Sequence, residues 1–154
     1  AGKMIRSAVM NDYEAAESIM EQVQRLHAGW RPDVYRAGVT VLAPDYFDEL
    51  VRGGQVLVWE EEGAVTGLVI FAERQAEGPV KVERKTLFID SIAVDEAHRG
   101  RGIGRRLLDE CKKLARRRGC CGLELQVNAQ NARAMKLYRA YGFAEKSVNM
   151  ELDL

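Results

Sequence analysis

Three glycines in alternate positions have the spacing that most directly suggests chemistry. Gly100, Gly102 and Gly104 follow an apolar stretch, residues 87–94, and precede a segment with the periodicity of an amphipathic helix. The arginines around them are Arg99, Arg101, Arg105 and Arg106. The first N–H groups of a helix have no partner within it and lie at the positive end of its dipole, and glycines let a ligand approach that backbone closely. The stretch therefore predicts a loop that binds an anion such as a pyrophosphate.

The spacing of these glycines excludes two common phosphate-binding loops. A dinucleotide fingerprint needs its third glycine three residues after the second, and Arg105 occupies that position. A nucleoside-triphosphate loop ends in Gly-Lys-Ser or Gly-Lys-Thr, whereas arginines follow Gly104. What the segment does contain is Arg99-Gly100-Arg101-Gly102-Ile103-Gly104, placed after a strand that ends Ile92-Ala93-Val94-Asp95.

Length and composition favour one globular domain. With 154 residues, 47% of them hydrophobic, the chain can bury one sizeable core but is too short for two domains to be expected. We assign that single domain to residues 4–154 and expect residues 1–3, ahead of Met4, to be a remnant of recombinant expression. Lysine plus arginine and aspartate plus glutamate number 23 each. Because the net charge is zero, neither nucleic acid nor a membrane surface is an expected partner.

The cysteines predict neither a disulfide framework nor a metal site. Cys111, Cys120 and Cys121 are odd in number and lack the spacing of metal ligands, so they are expected to be reduced thiols. No segment is long and apolar enough for a membrane span, and the first residues have no signal-peptide core. We therefore expect a cytoplasmic protein without a bound metal.

Hydrophobic periodicity places helices early in the chain and strands in the middle. Residues 12–28 and 44–52 have helical spacing, while 55–61 and 64–74 are strand-like and flank a tight turn at Glu62 and Gly63. A second hairpin is predicted near Gly78 and Pro79. The strand before the glycines and the strand 123–127 should be parallel neighbours, because a right-handed crossover helix joins them. A last helix, 128–140, and one or two short strands within 143–154 complete the prediction.

A second motif downstream of the glycine loop identifies a family resemblance. It reads Leu125-x-Val127-x-x-x-Asn131-x-x-Ala134-x-x-x-Tyr138-x-x-x-Gly142-Phe143. Together, in this order and separation, the two motifs closely resemble the GNAT superfamily of acyl-CoA-dependent N-acyltransferases. The resemblance spans the chain and is strongest from Ile89 to Phe143. It implies an α/β fold with a mixed, mostly antiparallel central sheet, a splayed parallel strand pair and helices on both faces.

The resemblance also implies acetyl-CoA as the co-substrate and a set of residues that bind it. Backbone N–H groups of the glycine loop would hold the pyrophosphate, and the pantetheine arm would lie along the strand that ends at Val94. The N–H of Ile92 would face the thioester oxygen and stabilise its developing negative charge. The expected contacts are Ile92, Ala93, Val94, Arg99, Gly100, Arg101, Gly102, Ile103, Gly104, Arg105, Asn131 and Tyr138.

Two residues of the second motif have alternative interpretations. Many relatives carry a tyrosine near the coenzyme A sulfur at the position of Tyr138, and a phenol is a suitable general acid because it stays protonated at neutral pH. The alternative is a tyrosine that only fills the buried face of its helix. Asn131 would contact the cofactor, cap the helix that begins there, or do both.

The general base is not assigned by the sequence. Some relatives carry a glutamate in the middle of the Leu-x-Val strand, but this chain has Gln126 there, and an amide cannot accept the proton. Glu73, Asp90 and Glu124 are substitutes within reach of the strands, and each has the alternative role of a solvated or ion-paired surface charge. His27 lies on the apolar face of the first helix, as a core histidine would.

The expected activity is transfer of an acetyl group from acetyl-CoA to a primary amine on a small molecule or peptide, by direct attack in a ternary complex. A catalytically inactive module that binds coenzyme A is the alternative, supported by the missing carboxylate. A nucleic-acid-binding domain is disfavoured by the neutral charge. We expect residues 30–35 and the hairpin 73–82 to recognise the acceptor, with Asp33 either attracting a cationic amine or pairing locally with Arg31 or Arg36. A homodimer is compatible with the sequence.

Overall fold

The computed structural model describes residues 2–154, which form one five-stranded sheet with helices on both faces. The strands are β1 (Lys3–Ser7), β2 (Val56–Glu61), β3 (Ala64–Ala76), β4 (Arg84–Val94) and β5 (Gly122–Leu125). The helices are α1 (Tyr13–Trp30), α2 (Pro44–Arg52), α3 (Ile103–Arg117) and α4 (Ala132–Tyr141), with short 3-10 turns at Met10–Asp12 and Glu96–His98. The sheet order is β1-β2-β3-β4-β5. β4 and β5 are parallel and the other pairs are antiparallel, which confirms the predicted fold class.

The predicted hairpins follow from local turn chemistry. Glu62 and Gly63 both have positive φ, 51° and 78°, as a type I′ turn between β2 and β3 requires. β3 and β4 pair along most of their length and are joined by residues 77–83. β1 begins at Lys3, one residue before the expected start of the domain, and the carbonyl of Gly2 accepts a hydrogen bond from the Glu62 N–H at 2.7 Å.

The two faces of the sheet bury separate cores. Ala16, Ile19 and Met20 of α1 pack with α2 against one face, where Val58, Leu68 and Ile70 point. Leu107, Leu108 and Cys111 of α3 pack against the other face, over Val69, Phe71, Leu87 and Ile89. This alternation along β3 and β4 is the period of two that a strand buried on both faces must show.

Gly67 of β3 lets α3 begin close to the sheet. A Cβ at this position would lie 2.9 Å from the Cγ2 of Ile103, the first residue of α3, and 3.4 Å from a Leu107 methyl. Any larger side chain would push the start of the helix outwards. The sequence gives no direct signal for this contact, because Gly67 lies within an otherwise regular strand.

The parallel pair separates before β4 ends. Thr86 to Ile89 pair with Gly122 to Leu125, and β4 then continues alone on that side to Val94. On its other side, the register with β3 passes from Phe71↔Ile89 to Ile70↔Ser91, so Asp90 is the extra residue of a β-bulge. The predicted splay is therefore present, and the bulge lies where it begins.

The last part of the chain differs from the prediction. α4 begins at Ala132 rather than near 128, because Asn131 is its N-cap and accepts a hydrogen bond from the Ala134 N–H at 3.1 Å. The short strands predicted within 143–154 are wrong, since residues 126–154 contain no strand. Within residues 2–154, no helix combines the length and the apolar character that a membrane span needs.

Candidate active site

The glycine loop forms the start of α3 as predicted. Gly100 and Gly102 both have φ of 80°, a left-handed conformation that side chains rarely adopt, and Gly102 is the N-cap of α3. The first helical hydrogen bond runs from the Arg106 N–H to the Gly102 carbonyl at 3.1 Å. The N–H groups of residues 103–105 precede that bond and are left for a ligand. No heavy atom lies within 4 Å of a Cβ built at Gly100 or Gly102, so there is open space at the loop for an anionic group.

A partly buried polar network holds the segment that leads into this loop. The Gln22 amide of α1 donates to Asp95 at 2.8 Å and accepts from the Glu96 N–H at 2.9 Å. Asp95 also accepts from the Ala97 N–H and lies 2.8 Å from the Nδ1 of His98. These hydrogen bonds, that of Gln22 first, lower the pKa of the Asp95 carboxyl. Sequence reasoning missed Gln22, although a glutamine on the apolar face of α1 is the signal that could have found it.

The arginines of the loop lie around it in three different arrangements. The Nε of Arg99 donates to the Val94 carbonyl at 3.3 Å. Arg101 is exposed and forms a long ion pair, 3.7 Å, with Glu61 of β2. The guanidinium of Arg105 lies 5.4 Å from the ring centroid of Tyr141. All three remain partly accessible, so their positive charge surrounds the loop without filling it.

Backbone groups of Ile92 and Val94 face the side of β4 that β5 has left. The Asp95 N–H donates to the Thr66 carbonyl of the β3 side at 2.8 Å. Since bonded and non-bonded pairs alternate along an antiparallel ladder, Ala93 is also bonded to β3, whereas Val94 and Ile92 are non-bonded positions. Their N–H and C=O groups therefore point away from β3. In agreement, the Val94 carbonyl accepts from Arg99 rather than from β3.

Tyr138 lies on α4 on the same face of the sheet as Ile92 and Val94. It is partly buried, in the core cluster that also contains Leu125 and Ile103, and its ring packs 5.7 Å from that of Phe143. Burial raises the pKa of the Tyr138 phenol to about 12. The hydroxyl therefore keeps its proton at neutral pH, as a proton donor must.

The candidate bases have different surroundings. Glu73 forms ion pairs with Lys85 at 2.7 Å and Arg118 at 3.6 Å, and its hydrogen bond with Lys85 is the main cause of its lowered pKa. Glu124 pairs with Lys146 at 2.5 Å, which likewise lowers its pKa. Asp90, in contrast, is exposed at the bulge of β4, where the parallel pair separates. Gln126 is exposed just after β5.

The expected acceptor segment carries a small aromatic cluster. The His27 ring lies 5.4 Å from that of Trp30 and 5.0 Å from that of Tyr35, and its Nδ1 lies 3.0 Å from the Val23 carbonyl. Asp33 is paired with Arg31 by two hydrogen bonds of 3.0 and 2.9 Å. Of the two roles considered for Asp33, the structure shows the local pairing.

The geometry and the comparisons define the same class of protein. An acyltransferase that uses coenzyme A is expected to have a splayed strand pair that leaves one strand edge free. A glycine-rich helix start is expected next to that edge. The profile of the Acetyltransferase (GNAT) family matches residues 18–143, and the chain belongs to that family. Members of the family use acetyl-CoA as co-substrate and transfer its acyl group to amines, which confirms the expected cofactor at family level.

Curated relatives include acetyltransferases named for different acceptors. Glucosamine 6-phosphate N-acetyltransferase 1 of Oryza sativa is 34% identical over 114 residues, 69% of this chain and 64% of that protein. N-alpha-acetyltransferase 40 of Saccharomyces cerevisiae is 36% identical over 107 residues, 64% of this chain and 34% of that protein. L-methionine sulfoximine/L-methionine sulfone acetyltransferase of Salmonella typhimurium is 38% identical over 93 residues, 59% of this chain and 51% of that protein. The chain thus spans between about a third and two thirds of these relatives.

Solved structures share the fold along the whole chain. A mutant of protein BH1408 from Bacillus halodurans superposes with a TM-score of 0.94 at 31% identity, covering 98% of this chain and 99% of that one. Aminoglycoside N-acetyltransferase AAC(6')-Iy, in complex with coenzyme A, gives a TM-score of 0.75 at 15% identity, covering 100% of this chain and 96% of that one. The second likeness concerns the fold alone.

Proposed function

We propose that this protein is an N-acetyltransferase that moves an acetyl group from acetyl-CoA to a primary amine. The observation that carries the proposal is the pair of backbone positions, Ile92 and Val94, whose polar groups face the open side of β4 beside the anion-binding start of α3. A strand edge can pair with the amides of an extended ligand, and the helix start can hold its phosphates.

The donor is held by the loop and by the strand. Acetyl-CoA supplies the acetyl group as an activated thioester. Residues 100–105 bind the pyrophosphate through N–H groups of the loop and first helical turn, with Arg99, Arg101 and Arg105 adding positive charge. Ile92, Ala93 and Val94 border the pantetheine arm, and Asn131, at the start of α4, contacts the cofactor as well as capping its helix.

Two groups of the chain act on charge that develops during transfer. The Ile92 N–H points to the open side of β4 and stabilises negative charge on the carbonyl oxygen of the thioester. The Tyr138 hydroxyl keeps its proton until the sulfur leaves and then donates it. A hydroxyl with a pKa raised to about 12 is ready for this role at neutral pH.

Asp90 is the base that the structure favours. Of the three carboxylates considered, Glu73 and Glu124 are engaged by cationic side chains, while Asp90 lies exposed at the bulge beside the open notch. It would take the proton of the attacking amine through water. Replacing Asp90 by Asn should lower turnover, and an unaltered turnover number would remove Asp90 from the mechanism.

Transfer proceeds by direct attack of the amine in a ternary complex. An acyl-enzyme would need a reactive thiolate, but Cys111 is buried and burial raises its pKa to about 12. Cys120 and Cys121 lie just before β5, beside Lys85. This is the end of the β4–β5 pair that is farther from Ile92. Initial-rate kinetics should therefore give intersecting rather than parallel lines when both substrates are varied.

The acceptor is a small molecule or a peptide that carries a primary amine. The relatives are acetyltransferases named for glucosamine 6-phosphate, for an N-alpha position and for L-methionine sulfoximine or sulfone, so the acetyl transfer is shared while the named acceptors vary. In this chain the aromatic cluster of His27, Trp30 and Tyr35 and the hairpin 73–82 lie on exposed segments suited to acceptor recognition. The cytoplasmic location stays a prediction.

Release of free coenzyme A thiol across a panel of amines tests this function. The panel should contain peptide N-termini, lysine, polyamines, amino acids and amino sugars, with acetyl-CoA at saturation. Amine-dependent release by the wild-type protein is expected, and Tyr138→Phe should abolish most of it. If the protein binds acetyl-CoA tightly but releases no coenzyme A with any amine, the result would instead favour the inactive coenzyme A-binding module.

A further inference from the structure

A groove lies between β1 and the C-terminal half of α3. α3 packs over Val69, Phe71, Leu87 and Ile89 of β3 and β4, which leaves the same face of β1 and β2 only partly covered. The cavity beside the helix has a volume of about 260 Å³. Because sites for drug-sized ligands usually measure about 300–1,000 Å³, this groove suits a smaller molecule.

The floor of the groove is apolar. It is formed by Ile5 of β1, Leu57 of β2, Phe71 of β3 and Leu114 of α3. Phe71 is buried, whereas the other three side chains are partly buried at the edge of the core on this face. Apolar surface that is open to water gains free energy when an apolar group covers it. The floor therefore favours a ligand with an apolar body.

The rim of the groove carries positive charge. Three arginines and one glutamate are among the ten residues that line it. The charge of Arg6 is balanced within the protein, because its guanidinium pairs with Asp12 at 2.8 Å and with Glu60 at 3.0 Å. The other two arginines are Arg117 and Arg118, at the end of α3.

Arg117 and Arg118 are only loosely paired. The Arg117 guanidinium lies 4.0 Å from Glu110, the glutamate of the groove. That of Arg118 lies 3.6 Å from Glu73, a carboxylate that Lys85 already pairs with at 2.7 Å. The two arginine side chains are exposed by 61% and 33%, so a ligand can reach their N–H groups.

The floor and the rim together select a carboxylate with an apolar body. A guanidinium presents parallel N–H donors that match the two oxygens of a carboxylate, and its weak hydration lets it pair at a partly apolar surface. An inorganic anion would leave the floor uncovered. A neutral apolar molecule would leave the arginines without a new partner.

The groove is separate from the proposed donor site. A helix rises about 1.5 Å per residue, so Arg117 lies about 20 Å along α3 from Ile103, next to the glycine loop. A ligand of this size therefore cannot contact both places at once.

We propose that this groove is a second binding site, for a small carboxylic acid with a compact apolar body. The carboxylate bonds Arg117 and Arg118, and the apolar body lies on Ile5, Leu57 and Leu114. This site does not depend on the proposed enzymatic function, and either could fail without the other.

Titration with phenylacetate tests the site. Two-dimensional NMR of the ¹⁵N-labelled protein should show saturable shifts at the amides of Ile5, Leu57 and Leu114, with a dissociation constant no weaker than about 10 mM. Phenylacetamide has no charge and acetate has no apolar body. Each should bind at least about tenfold more weakly than phenylacetate.

Substitution of the two arginines identifies the groove as the place of binding. The double variant Arg117→Gln and Arg118→Gln should lose at least about tenfold in affinity for phenylacetate, with an unchanged circular dichroism spectrum. Arg116→Gln is the matched control, because Arg116 is exposed on the same turn of α3 and does not line the groove.

Four results would each overturn the proposal. They are the absence of saturable shifts with phenylacetate, shifts that fall at Ile92 and Val94 instead, equal binding of phenylacetamide or acetate, and an affinity that the double variant retains in full.

Discussion

At the scale of single residues, we propose that the Ile92 N–H, the Tyr138 phenol and the Asp90 carboxylate carry catalysis. Burial raises the pKa of the Tyr138 phenol to about 12, so the hydroxyl carries its proton at neutral pH. Tyr138→Phe keeps the ring, its packing on Phe143 and its volume, and removes only that donor. Turnover should fall about 100-fold, the lower range for loss of a general acid, while calorimetry should give an unchanged dissociation constant for acetyl-CoA.

Tyr141 provides the matched control for this experiment. It lies on the same helix, but its hydroxyl donates to Asp109 on the exposed side of α3 at 2.7 Å. Tyr141→Phe should therefore leave turnover unchanged. If Tyr138→Phe turned over as fast as Tyr141→Phe, Tyr138 would be only a core tyrosine.

Gln22 is a positioning residue for the glycine loop. Its side chain bonds both the Asp95 carboxylate and the Glu96 N–H, which fixes the turn before the loop. Gln22→Leu removes two partly buried hydrogen bonds and should weaken acetyl-CoA binding by about tenfold, the equivalent of roughly 1.4 kcal/mol. Because no reacting group is touched, KM for acetyl-CoA should rise while kcat at saturation stays the same.

Gln24→Leu is the control on the same helix. Its amide donates to the Arg36 carbonyl at 2.9 Å, away from the loop. This variant should bind acetyl-CoA as the wild type does. If Gln22→Leu and Gln24→Leu raised KM for acetyl-CoA equally, the affinity for acetyl-CoA would depend on α1 as a whole rather than on the link from Gln22 to the loop.

At the scale of elements, Gly67 determines how closely α3 approaches the sheet. In Gly67→Ala the new Cβ would lie 2.9 Å from Ile103, whose β-branched side chain cannot easily move. The free energy of unfolding, measured by denaturant titration, should fall by about 2 kcal/mol, as is typical of overpacking. The displaced helix start should also lower the affinity for acetyl-CoA.

Gly29→Ala separates this effect from loss of a glycine in general. Gly29 lies near the end of α1 with no atom within 4 Å of an added Cβ, so alanine there should be neutral or stabilise by up to about 1 kcal/mol. Equal stability of Gly67→Ala and the wild type would contradict the packing described for α3.

Asp12 connects β1, β2 and the start of α1, and makes stability depend on pH. It accepts two hydrogen bonds from Arg6, at 2.8 and 3.0 Å, and one from the Val9 N–H at 2.8 Å, while Arg6 also bonds Glu60. The Arg6 bonds are the main cause of the lowered pKa of Asp12. A carboxyl whose pKa is lowered by folding stabilises the protein above its unfolded-state pKa, and this stability is lost as the pH falls through the folded-state pKa.

Asp12→Asn should therefore lower the free energy of unfolding at pH 7 by about 2 kcal/mol and reduce its decline in acid. Thermal denaturation as a function of pH measures both effects. Asp48→Asn is a suitable comparison, because Asp48 pairs with the exposed Arg52 on α2 and should change stability by no more than about 0.5 kcal/mol. A variant Asp12→Asn with the acid profile of the wild type would exclude the proposed linkage.

Elements that are determined by neighbouring residues in the chain could be predicted from the sequence. Elements that depend on contacts between distant parts of the chain could not. The turn at Glu62 and Gly63 and the glycine start of α3 follow from backbone conformations that few residues adopt. The bulge at Asp90 and the link from Gln22 to Asp95 arise only when strands or helices far apart in the chain meet. The short strands predicted within 143–154 do not form. A strand needs a second strand to pair with, and that pairing depends on where the chain lies in the fold.

At the scale of the whole molecule, the donor and acceptor halves of the site differ in how they are built. We propose that the donor half uses backbone groups of β4 and α3, which the fold itself positions. We propose that the acceptor half uses side chains of exposed segments, such as Trp30 and Tyr35. The family resemblance therefore predicts the cofactor from the sequence, whereas the acceptor has to be measured.

The central claim is that acetyl-CoA lies along the open side of β4 with its pyrophosphate at the start of α3. Two-dimensional NMR of the ¹⁵N-labelled protein tests it at single amides. Addition of acetyl-CoA should shift the signals of Ile92, Val94 and residues 102–105 and leave those of β1, Lys3–Ser7, unchanged. Binding that shifts other amides while Ile92 and Val94 stay unchanged would contradict the account.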